Sequence, residues 1–171
     1  LLAKTEQSEY GIFASRGQLD ASVFLAGSYR NVRPDLKLKT NQWYHVAMVY
    51  EGQSLALYVD GKLQGRHPTK LSMKRKENWL PFIVGADPDI RGRANSFFNG
   101  EIDEIRISKG ARYEKPFEPR RRLTSDKNTV IFLDCDQSLG PFLIDRSPQG
   151  HYFRLTGDAY ITDVKESVEQ E

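Results

Sequence analysis

The residues that come nearest to a catalytic constellation are Glu101-Ile-Asp-Glu-Ile105. On a strand, successive side chains point to opposite faces, so Glu101, Asp103 and Ile105 share one face while Ile102 and Glu104 share the other. Retaining glycoside hydrolysis needs two carboxyl groups about 5–5.5 Å apart, one to attack and one to protonate the leaving oxygen. A Glu-x-Asp-x-Glu strand would supply them, but here the last position is Ile105. The three histidines, His45, His67 and His151, lie far apart and share no His-x-x-x-His spacing, and Cys135 is the single cysteine, so no zinc motif is present. There is no Gly-x-Ser-x-Gly elbow and no phosphate-cradling glycine loop. The sequence reads as that of a non-enzyme.

Binding chemistry is better represented. Sugar recognition pairs a ring face, laid against C–H groups, with planar amide or carboxylate partners. Tyr29, Arg30, Asn31, Asn78, Trp79 and Tyr113 offer such groups in or beside loops. Trp79 also opens the apolar run 80–84, which would bury it. Two basic clusters, Lys70 with Lys74, Arg75 and Lys76, and Arg120 to Arg122, read as a solvated loop and linker. The net charge is +2, and no base-stacking platform or Arg/Gly-rich segment accompanies them, so nucleic acid is not an expected partner. No apolar run approaches the roughly 18 residues of a membrane span.

The elements that must position these side chains are strands. In Trp43-Tyr-His-Val-Ala-Met-Val-Tyr50, Trp43, His45, Ala47 and Val49 share one face and Tyr44, Val46, Met48 and Tyr50 the other. Both faces are mostly apolar, so the strand belongs inside a sandwich, with Trp43 and Val49 buried and His45 as a structural histidine. Leu55-Ala-Leu-Tyr-Val59 follows and ends in Asp60-Gly61, a pair suited to a type I′ hairpin turn. Further strands are expected at 10–14, 21–26, 79–85 and 102–107, with a half-exposed one over 36–38. The stretch 15–20 is expected to be a loop, 66–78 a polar loop, and 86–95 a turn-rich loop. Asp87 and Asp89, separated by a proline, read as a plain turn. Cys135 sits in an apolar run and reads as a buried thiol.

The order Trp43–His45–Val46–Ala47, then Tyr58-Val-Asp-Gly61, then Gly100-Glu-Ile-Asp-Glu-Ile-Arg-Ile107, followed by Ala111-Arg-Tyr113 and Phe117-Glu-Pro119, resembles the laminin-G-like jelly rolls of the concanavalin A-like lectin/glucanase superfamily. That resemblance implies an all-β, two-sheet antiparallel jelly-roll sandwich. It also implies a carbohydrate-binding or adhesion module of a larger, exported protein, with a carbohydrate or an extracellular protein as ligand and other domains in the parent chain. A protein-interaction module with no sugar ligand is the alternative reading, and a divergent glycan-active enzyme a further one. Family members commonly hold a structural calcium through an Asp that corresponds here to Asp103. The glucanases of the superfamily use Glu-x-Asp-x-Glu, from which this chain departs at Ile105.

The carboxy-terminal part differs in character. Thr129-Val-Ile-Phe-Leu133 is strongly apolar, and Asp145-Arg-Ser-Pro-Gln-Gly150 resembles an Asp-x-Ser-x-x-Gly motif that such domains normally carry near their beginning. Short strands are expected at 153–155 and 159–161. Residues 1–119 are taken as the main part of the sandwich and 120–162 as strands that return to complete it, the other account being the start of a second repeat. The acidic stretch 163–171 is expected to fray.

Overall fold

The structure is a computed structural model, and it describes residues 1–162. The expectation for 163–171 lies outside the described residues. Ten strands are numbered in the first 95 residues: β1 (Leu2–Lys4), β2 (Tyr10–Ser15), β3 (Gln18–Leu25), β4 (Ser28–Val32), β5 (Val46–Tyr50), β6 (Ser54–Val59), β7 (Lys62–Pro68), β8 (Ile83–Val84), β9 (Asp87–Pro88) and β10 (Ala94–Asn95). Five follow: β11 (Ile105–Ser108), β12 (Thr129–Leu133), β13 (Ser138–Leu139), β14 (Phe142–Ile144) and β15 (Tyr152–Arg154). The described residues contain no helix, and every strand pairing is antiparallel. The fold is all-β, as the alternation requires.

Contacts divide the described residues into two compact units, 1–102 with 110–120, and 103–109 with 121–162. In the first unit a five-stranded sheet, β4-β3-β2-β1-β8, and a three-stranded sheet, β5-β6-β7, enclose one core. Leu19, Ala21, Val23 and Leu25 of β3 face Leu55, Leu57 and Val59 of β6 across it, with Val32 and Ile12 alongside. These are alternate positions, so period-2 patterning alone decides which side of each strand is dry. Burying one such side chain fully stabilises by about 1.5–3 kcal/mol.

Strand β6 has no wet face, because all six of its residues are buried. Its outward residues Ala56 and Tyr58 pack with Ala47, Val49, Tyr113 and Phe117. Tyr113 stacks on Phe117 with ring centroids 3.6 Å apart, and the His45 ring stands edge-on to Phe117 at 5.4 Å. The Ala-Arg-Tyr and Phe-x-Pro stretches thus form an aromatic cover for the outer face of the three-stranded sheet. This makes His45 a packing residue and takes Tyr113 out of the set of loop aromatics.

Several expectations need correction. Trp43 is 49% exposed, not buried, while Val49 is buried as expected. The ladder of β5 starts only at Val46, opposite Val59. At Asp60 the partner turns away, and its Oδ1 accepts the His45 N–H at 2.9 Å, so no strand is left to cover Trp43. β11 starts at Ile105 and not at 102, because Glu104 takes a positive φ of 52°. The run 79–85 contributes only Ile83–Val84 to the sheet. The stretch 36–38 gives a single bridge, Gln18↔Lys37, and 15–20 is a tight hairpin with Arg16 and Gly17 at φ 50° and 77°. β7 runs to Pro68, into the stretch expected to be a polar loop, and the 86–95 loop is a small β9-β10 hairpin, closed by Asp89 accepting the Arg91 and Arg93 N–H groups. Residues 159–161 form no strand.

In the second unit β11 pairs with β12, and β13-β14-β15 form a three-stranded sheet. Thr129, Phe132 and Leu133 are buried, so the apolar run is covered as its composition demands. Cys135 is half-buried and not fully so.

The turn after β6 carries a stringent steric demand. Asp60 and Gly61 have φ of 48° and 69°, and the Gly61 carbonyl accepts the Phe117 N–H at 3.0 Å. A Cβ on Gly61 would run into the Phe117 carbonyl oxygen. Gly61→Ala is expected to lower stability by about 2–4 kcal/mol, from left-handed strain together with the clash. Urea unfolding followed by tryptophan fluorescence checks it, and a variant within about 0.5 kcal/mol of the parent would refute the role given to this turn.

Candidate functional site

The inner face of the five-stranded sheet is apolar; its outer face is polar. In β3, Asp20 and Ser22 alternate with Leu19, Ala21 and Val23, and in β4, Tyr29 and Asn31 alternate with Arg30 and Val32. Cross-strand register sets Ser22 opposite Asn31 and opposite Gly11, and Asp20 opposite Phe13. The result is a cleft of about 310 Å³ lined by Thr5, Glu6, Gln7, Phe13, Asp20, Ser22, Tyr29, Asn31, Arg33 and Asp87.

Its polar groups hold one another in place. Asp20 accepts from Asn31 Nδ2 at 3.0 Å, from Ser22 Oγ at 3.0 Å and from Arg33 Nε at 2.6 Å. Thr5 Oγ1 donates to Asp87 Oδ1. The wall formed by residues 5–9 bends sharply, with Glu6, Gln7 and Glu9 at φ 77°, 52° and 48°. Non-glycine residues seldom take such angles, and surrounding bonds must hold them there. Asn78 supplies those bonds, donating to the Thr5 carbonyl at 2.6 Å and to Ser8 Oγ. Lys4 Nζ in turn donates to Asn78 Oδ1 at 3.1 Å and to the Leu80 carbonyl at 2.6 Å.

Of the six candidate sugar contacts, the cleft brings together Tyr29 and Asn31. Asn78 stands behind its wall as a support. Arg30 points to the opposite face of the sheet, paired with Val23. Tyr113 belongs to the aromatic cover described above. Trp79 is 79% exposed, against the burial its apolar neighbours suggested, and does not line the cleft. Asn78 and Leu80 are turned to the protein on either side of it, and the bend at 79–80 leaves Trp79 facing outward. Phe13, Asp20 and Arg33 were not among the candidates. The signal for Asp20 and Arg33 was the polar stripe in 18–25 and 28–33, opposite the apolar one, whereas Phe13 of β2 joins them only through its register opposite Asp20.

The carboxylates nearest the catalytic pattern are elsewhere. Glu101 is exposed, and Asp103 is followed by the backbone reversal at Glu104 rather than by a strand that would align them. Asp103 Oδ1 accepts the Glu104 N–H at 2.9 Å, and burial, aided by the Glu104 and Asp136 charges, pushes its pKa up. Arg122 donates to Glu104 at 3.0 Å and to Asp136 at 2.9 Å, so a guanidinium already serves the acidic groups around Asp103. Among the described residues no three His, Cys, Asp or Glu side chains gather as a metal site would require. Calcium wants six to eight oxygens, and this donor set suits it poorly. The Cys135 thiol, pushed up to about 12 mainly by burial and then by Asp103 and Asp134, is a poor nucleophile.

Asp145 and Ser147 of the Asp-x-Ser-x-x-Gly stretch meet His151, which lies just beyond it. Asp145 is 4% exposed and accepts from the Phe132 and Ser147 N–H groups, each at 2.8 Å, and from Ser147 Oγ at 2.8 Å. The His151 N–H and ring Nδ1 complete the set at 3.1 and 2.7 Å. These are the residue types of a hydrolase triad, wired differently. Asp145 is the centre, and Ser147 binds Asp145 and the Val130 carbonyl, with no bond to a histidine that could take its proton. The group is a turn lock.

Burial works to raise the Asp145 pKa, but the bonds from Phe132, Ser147 and His151 outweigh it and hold it down to about 2. A carboxyl depressed on folding stabilises above its unfolded value, and that contribution fades as pH falls from about 4 through about 2. Asp145→Asn is expected to lower stability near neutral pH by about 2–4 kcal/mol and to flatten the acid limb of the stability profile. Urea titrations across the acid range test this, and an unchanged acid limb would exclude Asp145 as its source.

Comparison with known families places these observations. A family model described as concanavalin A-like lectin/glucanases superfamily, of the laminin G kind, matches residues 3–115. That span contains both facing sheets, the aromatic Tyr113 and the entire cleft. Searches of curated proteins and of solved structures return no match. The match extends over well over half of the chain, which belongs to the concanavalin A-like lectin/glucanase superfamily.

Proposed function

We propose that this chain is a non-catalytic carbohydrate-binding module and that the cleft on the outer face of the five-stranded sheet is where the sugar sits. Superfamily membership supports a lectin-like or adhesion role in general. The observation that carries the finer reading is the lining itself: two aromatic rings, Phe13 and Tyr29, beside the fixed planar groups of Asp20, Asn31 and Arg33. Rings accept sugar C–H faces, and groups already oriented by mutual hydrogen bonds lose little freedom on binding. A role outside the cell, in a longer protein, accompanies this reading.

Catalysis finds less support. In the cleft, Asp20 is engaged by Asn31, Ser22 and Arg33, and Asp87 by Thr5, while the sequence holds Ile105 where a second carboxylate would stand. A protein-binding reading rests on the exposed Trp79, Ile90 and Phe97, three large apolar side chains in the loops of 79–98.

A glycan array on the purified chain, run with calcium and with chelator, tests the proposal. Binding to a defined oligosaccharide class is expected, and Tyr29→Ala and Asn31→Ala should each weaken it by about tenfold while leaving the thermal transition in place. Retention of binding in both variants would remove the cleft from the account. Signal that vanishes in chelator and in Asp103→Asn would restore a calcium to Asp103.

A further inference from the structure

The charge of the cleft is uneven in a way that bears on its ligand. Three carboxylates line it, Glu6, Asp20 and Asp87, against one guanidinium, Arg33. Arg33 is paired with Asp20 at 2.6 Å. Among the described residues neither Glu6 nor Asp87 makes an ion pair. The Lys4 ammonium is turned to Asn78 and Leu80 oxygens. The Tyr29 hydroxyl registers the field of Glu6 and Asp87. Burial raises its pKa, bonds to the Ser8 and Gln7 backbone lower it, and the Glu6 and Asp87 charges raise it further.

This negative character is local, since the chain as a whole has a net charge of +2. A uronate or sulfated sugar entering the cleft would set its anion against two carboxylates that no cation offsets. Like charges held together in a partly desolvated site are strongly disfavoured. A protonated amine reverses the sign and offers three N–H donors, whereas an acetylated amine offers one and no charge.

We propose that the cleft selects a saccharide bearing free amino groups, of the glucosamine type, over its N-acetylated and its anionic counterparts. This rests on the reading of the cleft as a sugar site. Glu6 and Asp87 act as the specificity-determining pair; Phe13 and Tyr29 supply the ring faces that all three ligand classes share.

Calorimetric titration in chelator, with glucosamine oligomers, N-acetylglucosamine oligomers and hyaluronan fragments of matched length, tests it. The glucosamine oligomer should bind about tenfold more tightly than its N-acetylated counterpart, and the hyaluronan fragment most weakly. Glu6→Gln and Asp87→Asn keep the shape and remove the charge, so each should narrow the amino preference several-fold by weakening the glucosamine oligomer more than the N-acetylated one. Melting curves confirm that both variants are folded. Equal affinity for the amino and N-acetylated oligomers, tighter binding of hyaluronan, or a preference that survives both variants would overturn the inference and leave the sugar site standing. Failure of all three oligomers to bind would remove the sugar reading together with the inference.

Discussion

Strand β6 is buried along its whole length on both faces, so a layer must lie on each side of it, and the first unit is built to meet that requirement. On the inner side Leu55, Leu57 and Val59 are covered by the alternate residues of β3, with Ile12 and Val32. On the outer side Ala56 and Tyr58 have no second sheet to face. They are covered by the chain's own return, Tyr113 stacked on Phe117. The aromatic segment can approach so closely only because Gly61 leaves room for the Phe117 carbonyl and holds its amide. Tyr113, which the sequence offers as a sugar contact, is therefore a packing residue.

The two outer faces of the sandwich have opposite fates for a physical reason. The three-stranded sheet presents small and aromatic residues outward, which water would not tolerate uncovered. The five-stranded sheet presents Asp20, Ser22 and Asn31, whose polar atoms bond to one another, and Tyr29, whose hydroxyl donates to the Ser8 carbonyl, and all of these can stay wet. Covering that face with chain would strip water from a carboxylate for little gain in apolar burial. It stays open, and its lining is already ordered, which is the condition under which a polar ligand can bind without a large ordering cost.

Much of the fold could be read directly from alternation and turn chemistry. The β5–β6–β7 meander and the burial of Val49 follow from period-2 patterning, the Asp60-Gly61 turn from its tolerance of positive φ, and the burial of Thr129, Phe132 and Leu133 from a continuous apolar run. Trp43 was misread because alternation says which way a residue points and not whether a neighbouring strand reaches far enough to cover it. The start of β11 was misread for a related reason: Glu104 adopts a left-handed conformation that breaks the pleat, and no residue type in Glu-Ile-Asp-Glu-Ile announces it. For the site, Tyr29 and Asn31 were legible as a ring and an amide near a turn. Asp20, Phe13 and Arg33 become neighbours only through the registers β2↔β3 and β3↔β4, which join residues distant in sequence. Asp87 and Thr5, 82 positions apart, meet only in the folded chain.

The same distinction separates the two places where chemically suggestive residues converge. In the Asp145 cluster, a buried carboxylate receives five hydrogen bonds from Phe132, Ser147 and His151, which leaves little capacity to accept more. A saturated acceptor is a structural element, whatever residue types surround it. In the cleft, Asp20 is nearly as well served, but Glu6 and Asp87 are not, and Glu6 sits on a wall that is bent against its backbone preference and tied down by Asn78. Strain held in place next to unmatched charge is costly for stability alone. It is accounted for if those charges face a ligand, which favours the cleft over the triad-like cluster as the proposed binding site.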